Sequence, residues 1–128
     1  MSFTKIFVIS SSIACAGVVI VALLKKIWKD PSINSVSVDI LDYKYVLGWL
    51  QQKKSIIKKG TELITLRNEA ARKLLKEHLK YEMSDNEVLY VLQYNDKLLA
   101  HLVVKYNTIS DSYLDMLGTN DVFIQKIE

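Results

Sequence analysis

Residues 6–24 read IFVISSSIACAGVVIVALL, nineteen positions without a charge, closed by Lys25, Lys26 and Lys29. As one helix this run would be about 29 Å long, close to the thickness of a bilayer's hydrocarbon core. It predicts a single transmembrane anchor from Ile6 to Leu24 within a basic segment, 1–29. Trp28, beside the lysines, suits the headgroup level, where an indole keeps its N–H wet. The bilayer is then the first partner.

Two other readings of this segment are weaker. Ala14-Cys15-Ala16 has the small-x-small form of a signal-peptide cleavage site, but the stretch before it is short and carries three serines. Ser12-Ile13-Ala14-Cys15 resembles a lipobox only loosely, and most of the hydrophobicity follows the cysteine. Orientation depends on flanking charge. Lys5 and the α-amino group face three lysines, which favours a cytoplasmic domain by one charge.

Working outward, Asp30-Pro31-Ser32 breaks the helix and opens a linker, 30–34. Residues 35–128 then form one soluble α+β domain. From Asp30 on there are 13 basic and 14 acidic residues, a net charge of −1. The +3 of the whole chain therefore belongs to the membrane flanks and gives no case for nucleic acid. Cys15 is the only cysteine, so the domain has no disulfide.

Within the domain, Val36, Val38 and Ile40 alternate with Ser35, Ser37 and Asp39, the pattern of a half-buried strand. Asp42 offers an N-cap for a helix from Tyr43 to about Lys59, stopped by Gly60. The stretch 61–66 favours a short strand. Asn68 caps a second helix through about Glu82, with Ala71, Leu74, Leu75 and His78 on one stripe and a Glu69–Lys73 pair. Residues 87–94 and 98–106 make a hairpin turned by Asn95-Asp96. Ser110 caps a short helix ended by Gly118, and 121–127 is a last strand. The resulting fold class is α+β: an N-terminal transmembrane helix, then an antiparallel β-meander with helices packed on one face.

No motif specifies a chemistry. His78 and His101, the only histidines, lack a second histidine or cysteine at ligand spacing, and they read as structural. Asp39, Asp42, Asp111 and Asp115 read as surface and caps. No Gly-x-Ser-x-Gly or Gly-x-x-x-x-Gly-Lys run is present. No metal and no cofactor is implied.

Two surfaces remain. Tyr90, Tyr94 and Tyr106, with His101, lie on the hairpin strands and could form a partner face on a sheet side left open. Lys53, Lys54, Lys58 and Lys59 could touch anionic headgroups. The leading expectation is a bitopic membrane protein, bacterial in type, whose domain is a non-catalytic protein-interaction module or self-associates. The alternatives are a tethered enzyme using a histidine base and a peripheral lipid-binding module.

Overall fold

The computed structural model describes residues 6–11, 14–30 and 32–127, with side chains described from Val19 onward. Lys5, Ser12, Ile13 and Pro31, which enter the orientation, lipidation and helix-break expectations, lie outside the described residues, as does the side chain of Cys15.

The chain is α+β. Strand β1 (Ile6–Ser11) and helix α1 (Ala14–Ile27) come first. Next are β2 (Ser35–Leu41), α2 (Tyr43–Gln52), β3 (Glu62–Leu66) and α3 (Asn68–Leu79). Strands β4 (Glu87–Tyr94) and β5 (Lys97–Ile109), helix α4 (Asp111–Leu117) and strand β6 (Val122–Ile127) complete it. One six-stranded sheet runs in the order β1-β6-β3-β4-β5-β2. Every neighbouring pair is antiparallel except β2 and β5, which are parallel, so the sheet is mixed rather than a pure meander.

The expected membrane anchor is not supported. Residues 6–24 do not make one helix. Their first part is β1, which pairs with β6 from Ile6↔Ile127 to Ser11↔Val122. Their last part lies in α1, only 14 residues long. No helix among the described residues is long and apolar enough to cross a membrane. Among the run's described side chains, Val21 and Leu24 go into the protein's own core, while Val19 is exposed. Val21, Leu24 and Trp28 are buried with Ala71, Leu74 and Leu75 of α3 and with Ile64, Leu89, Val91 and Val103 of the sheet. Trp28, expected among headgroups, is 1% exposed. Lys25, expected at the membrane border, forms an ion pair with Glu77 of α3 at 2.7 Å.

Returning α1 to the domain also corrects the layering. Helices pack on both faces of the sheet, not on one. α1 and α3 cover one face. On the other, Val46, Trp49 and Leu50 of α2 and Tyr113 and Leu117 of α4 meet Leu63, Tyr90, Leu92 and Phe123. With both faces covered, β4 is apolar almost throughout and buried from Glu87 to Gln93, as its sequence predicts for a central strand.

Local signals fare better. Asp42 caps α2, its carboxylate accepting the Lys44 N–H at 3.2 Å. Ser110 caps α4 by accepting the Tyr113 N–H, and Gly118 follows the last turn at φ +63°. Asn95 and Asp96 both take positive φ in the β4–β5 turn, as a two-residue hairpin loop demands. The favoured strand in the stretch 61–66 is present as Glu62–Leu66.

Two helices stop early. α2 ends at Gln52 because a second turn competes. There Thr61 Oγ1 accepts the Lys58 N–H at 3.0 Å, and Ile57 drops into the core. Asn68 does not cap α3: it sits at φ +53° and donates its side-chain amide to Asp121 at 2.9 Å. That helix ends at Leu79, where Lys80 turns left-handed. Glu69 pairs with Arg72 at 3.2 Å instead of with Lys73.

Candidate functional site

The sheet ends at β2. This strand alternates because only one of its edges and part of one face have protein against them. The ladder to β5 fixes which main-chain groups are used. The Asn34 carbonyl accepts the Val103 N–H at 2.9 Å, and Ser35 lies opposite Val103. A parallel strand turns alternate residues toward its neighbour. Residues 34, 36 and 38 therefore direct main-chain groups to β5, while Ser35 and Ser37 direct theirs outward. The alternation shifts before Leu41, whose carbonyl accepts the Ser110 N–H at 2.9 Å and whose side chain is buried in the core that Val38 borders.

The side chains follow the same period. Val36 lies beside Val104, and Val38 beside Tyr106. Val38 is half-buried against the α2/α4 core. Val36 is 37% exposed, and Ile40, next to the buried Leu41, is 58% exposed. On the opposite side stand Ser35 and Ser37. The Asp39 carboxylate accepts from the Asn107 amide at 3.1 Å. An edge strand is normally blunted by charge, proline or a bulge. β2 carries one charge, Asp39, along seven residues.

The four residues expected to share a partner face do not come together. Tyr90 is in the core, its hydroxyl 2.7 Å from that of Tyr113. Burial first, and Tyr113 second, push its ionisation well above the ordinary tyrosine value. Burial likewise pushes Tyr113 up to about 12. Tyr94 is at the hairpin end, with the Lys58 ammonium 5.6 Å from its ring centre. His101 faces the α1/α3 side. Only Tyr106 borders β2.

Both histidines converge on the end of α1. His78 Nε2 lies 2.6 Å from the Trp28 carbonyl and serves as its donor. His101 packs on the Trp28 ring, with centroids 4.4 Å apart, and its Nε2 accepts the Asn34 N–H at 3.0 Å. Accepting there requires a neutral ring, and burial lowers the His101 pKa to suit. Nearby Asp30 works the other way, and Lys53 adds to the lowering. Among the described residues, no three of His, Cys, Asp and Glu are grouped to hold a metal ion.

The lysines are split as well. Lys54, Lys58 and Lys59 are exposed, and Lys53 is half-buried, around the turns between α2 and β3. Lys26 and Lys29 line a separate shallow groove of about 430 Å³ with Ile27, Asp96, Lys97 and Leu98. This groove sits at the C-terminal end of α1, where Lys26 and Lys29 complement the negative end of the helix dipole.

The open edge of β2 was not visible in the sequence. Alternation marks a half-buried strand equally well at the edge and inside a sheet. What distinguishes the edge is pairing with β5, which starts more than sixty residues later. No protein-family model, curated protein or solved structure matches the chain.

Proposed function

We propose that this chain is a non-catalytic protein-interaction module that takes on a partner strand along the free edge of β2. The observation that carries the reading is the conjunction at one edge of two things. The main-chain groups of Ser35 and Ser37 point outward, and the exposed apolar side chain of Val36 lies between them. Strand addition uses both: main-chain hydrogen bonds supply affinity, and alternate side chains supply selectivity. Engagement of both histidines in holding Trp28 and Asn34 supports a non-catalytic role. So does the burial of the Tyr90–Tyr113 pair, which leaves that polar contact beyond a substrate's reach.

The test is photo-crosslinking in the full chain. A photoreactive residue at position 37 should give a defined protein adduct. The same residue at Lys76, exposed on α3 across the sheet, should not. Equal labelling from both positions, or none from 37, would remove the reading.

A further inference from the structure

We propose that the β4–β5 hairpin end of the sheet docks on an anionic lipid bilayer, through lysines that the fold brings there from both faces. The surface is distinct from the edge of β2, and the proposal goes beyond strand addition.

Topology gathers lysines that lie far apart in the sequence. β4 ends at Tyr94 and β5 begins at Lys97, so their turn marks one end of the sheet. β3 starts at this end, with Glu62 against Gln93, and β6 finishes here, with Lys126 against Glu62. The segment leading from α2 into β3 therefore arrives here too. Its Lys58 ammonium stands 5.6 Å from the centre of the Tyr94 ring. Lys59 precedes Gly60, whose N–H donates to the Ile127 carbonyl at 2.7 Å. On the other face, Lys97, which pairs with Tyr94, lines the groove that Lys26 and Lys29 share at the end of α1. The lysines of the α1 side and of the α2 side thus meet across the hairpin. Lys26, Lys29, Lys58, Lys59 and Lys97 are all exposed.

The carboxylates nearby leave this charge uncancelled. Asp96 lies in the groove with three lysines. Glu62 accepts from the Gln93 amide, and Asp30 from the Ser32 N–H. The opposite end of the sheet differs. Asp39 lies near the end of β2, Asp85 before β4, Asp111 after β5 and Asp121 before β6. Lys44 and Lys105 are at that end, and so are both arginines of the chain, already engaged. Arg67 donates to the Gly118 and Asn120 carbonyls, and Arg72 pairs with Glu69 and Asp85. Charge is divided along the strand direction, which turns the lysine end toward an anionic surface.

The side-chain chemistry favours lipid over nucleic acid. Lysine is a compact point charge, whereas directional phosphate recognition uses the arginine fork. Single-stranded nucleic acid takes a basic channel with aromatic faces for its bases. Here the lysines surround an end rather than line a channel, and Lys58 lies over the Tyr94 ring. Beside them Ile56, two residues before Lys58, is 38% exposed. An apolar side chain among lysines suits the headgroup boundary, where burial and attraction to anionic lipid add. With this end docked, the edge of β2 stays at the side of the sheet, open to a strand.

The test is co-sedimentation of the full chain with vesicles. Phosphatidylcholine vesicles containing about 30% phosphatidylserine should carry the protein down. Vesicles of phosphatidylcholine alone should not, and about 0.5 M salt should release it. A lysine near such a surface is worth up to about fivefold in binding. Lys26→Gln, Lys58→Gln and Lys97→Gln should each weaken binding about three- to fivefold, and together about thirtyfold or more. Circular dichroism should be unchanged, because all three are exposed. Lys44→Gln with Lys105→Gln, at the other end, should bind as the parent does.

No sedimentation with either vesicle, or equal sedimentation with both, overturns the proposal. So does an equal loss in the Lys44→Gln, Lys105→Gln variant, which would make the attraction a property of net charge. A single-stranded oligonucleotide that binds more tightly than the anionic vesicles and displaces them also overturns it, in favour of nucleic acid. The position-37 crosslink is read without vesicles, so each reading can fail alone.

Discussion

Trp28→Ala tests whether α1 belongs to the folded domain. A buried tryptophan removes up to roughly 250 Å² from water, which at about 25 cal/mol/Å² bounds its contribution at about 6 kcal/mol. Truncation keeps Cβ and allows partial collapse, so the expected loss is about 3–5 kcal/mol. Trp28 is 1% exposed, its ring packs on His101, and its carbonyl holds His78, so little can relax into the space.

Trp28→Phe separates packing from polarity. The indole Nε1 is buried without a hydrogen-bond partner. Removing that orphan donor recovers about 1–3 kcal/mol, while a void of roughly 40 Å³ loses about 1 kcal/mol. The phenylalanine variant should therefore lie within about 1 kcal/mol of the parent or be slightly more stable. Urea denaturation of the full chain, followed by circular dichroism, measures both variants. If Trp28 instead sat at a membrane surface outside the domain, alanine would change stability by no more than about 0.5 kcal/mol. That result for Trp28→Ala refutes the packing described for α1.

Two further outcomes follow from the buried polar groups. Tyr90→Phe and Tyr113→Phe each strand the other hydroxyl in the core, and each should destabilise by about 1–3 kcal/mol. The double variant should be less than the sum, and additive urea midpoints would show that the 2.7 Å contact contributes nothing. The His101 pKa is lowered in the folded state, so the unfolded chain takes up a proton first as pH falls. Stability associated with neutral His101 is thus intact above the unfolded value, about 6.5, and declines below it until the folded value is reached. Glu87 adds a second acid-labile group. Burial raises its pKa, but hydrogen bonds from Ser84 and Tyr81 outweigh that and hold it below the usual value. Its contribution is present above about 4.5 and fades as pH falls further. His101→Gln keeps an acceptor for Asn34 without titrating. It should flatten the thermal midpoint between about pH 7 and 5.5 and leave the lower acid transition in place. A parent as pH-dependent as the variant would count against this assignment.

What the sequence revealed and what it hid divide along the range of the interactions. Asp42, Ser110, Gly118 and the Asn95-Asp96 turn act within four residues, so their roles follow from local chemistry. The apolar run 6–24 is a different problem. Hydrophobicity states that a segment leaves water; it does not state whether lipid or protein receives it. Counted as one element, nineteen residues fit a bilayer. Divided between β1 and α1, neither part reaches the length a span needs, and each lies on an element that docks on the sheet. The serines at 10–12 are the local hint of that division. They interrupt the apolar run with three consecutive hydroxyl side chains.

The same distinction governs β2, where the functional consequence lies. Val36, Val38 and Ile40 announce one face to be buried, yet the core covers only Val38 well. Burial of Val36 and Ile40 is therefore incomplete within one copy of the chain. A strand whose sequence asks for more cover than its fold supplies either gains that cover from a partner or carries the liability of an exposed edge. The outward main-chain groups of Ser35 and Ser37, with exposed Val36 between them, fit the first outcome. An edge protected only against aggregation would be served equally well by a lysine at position 38 or 40. Hydrophobic residues at 36 and 38, beside main-chain groups that point outward, fit pairing with an added strand.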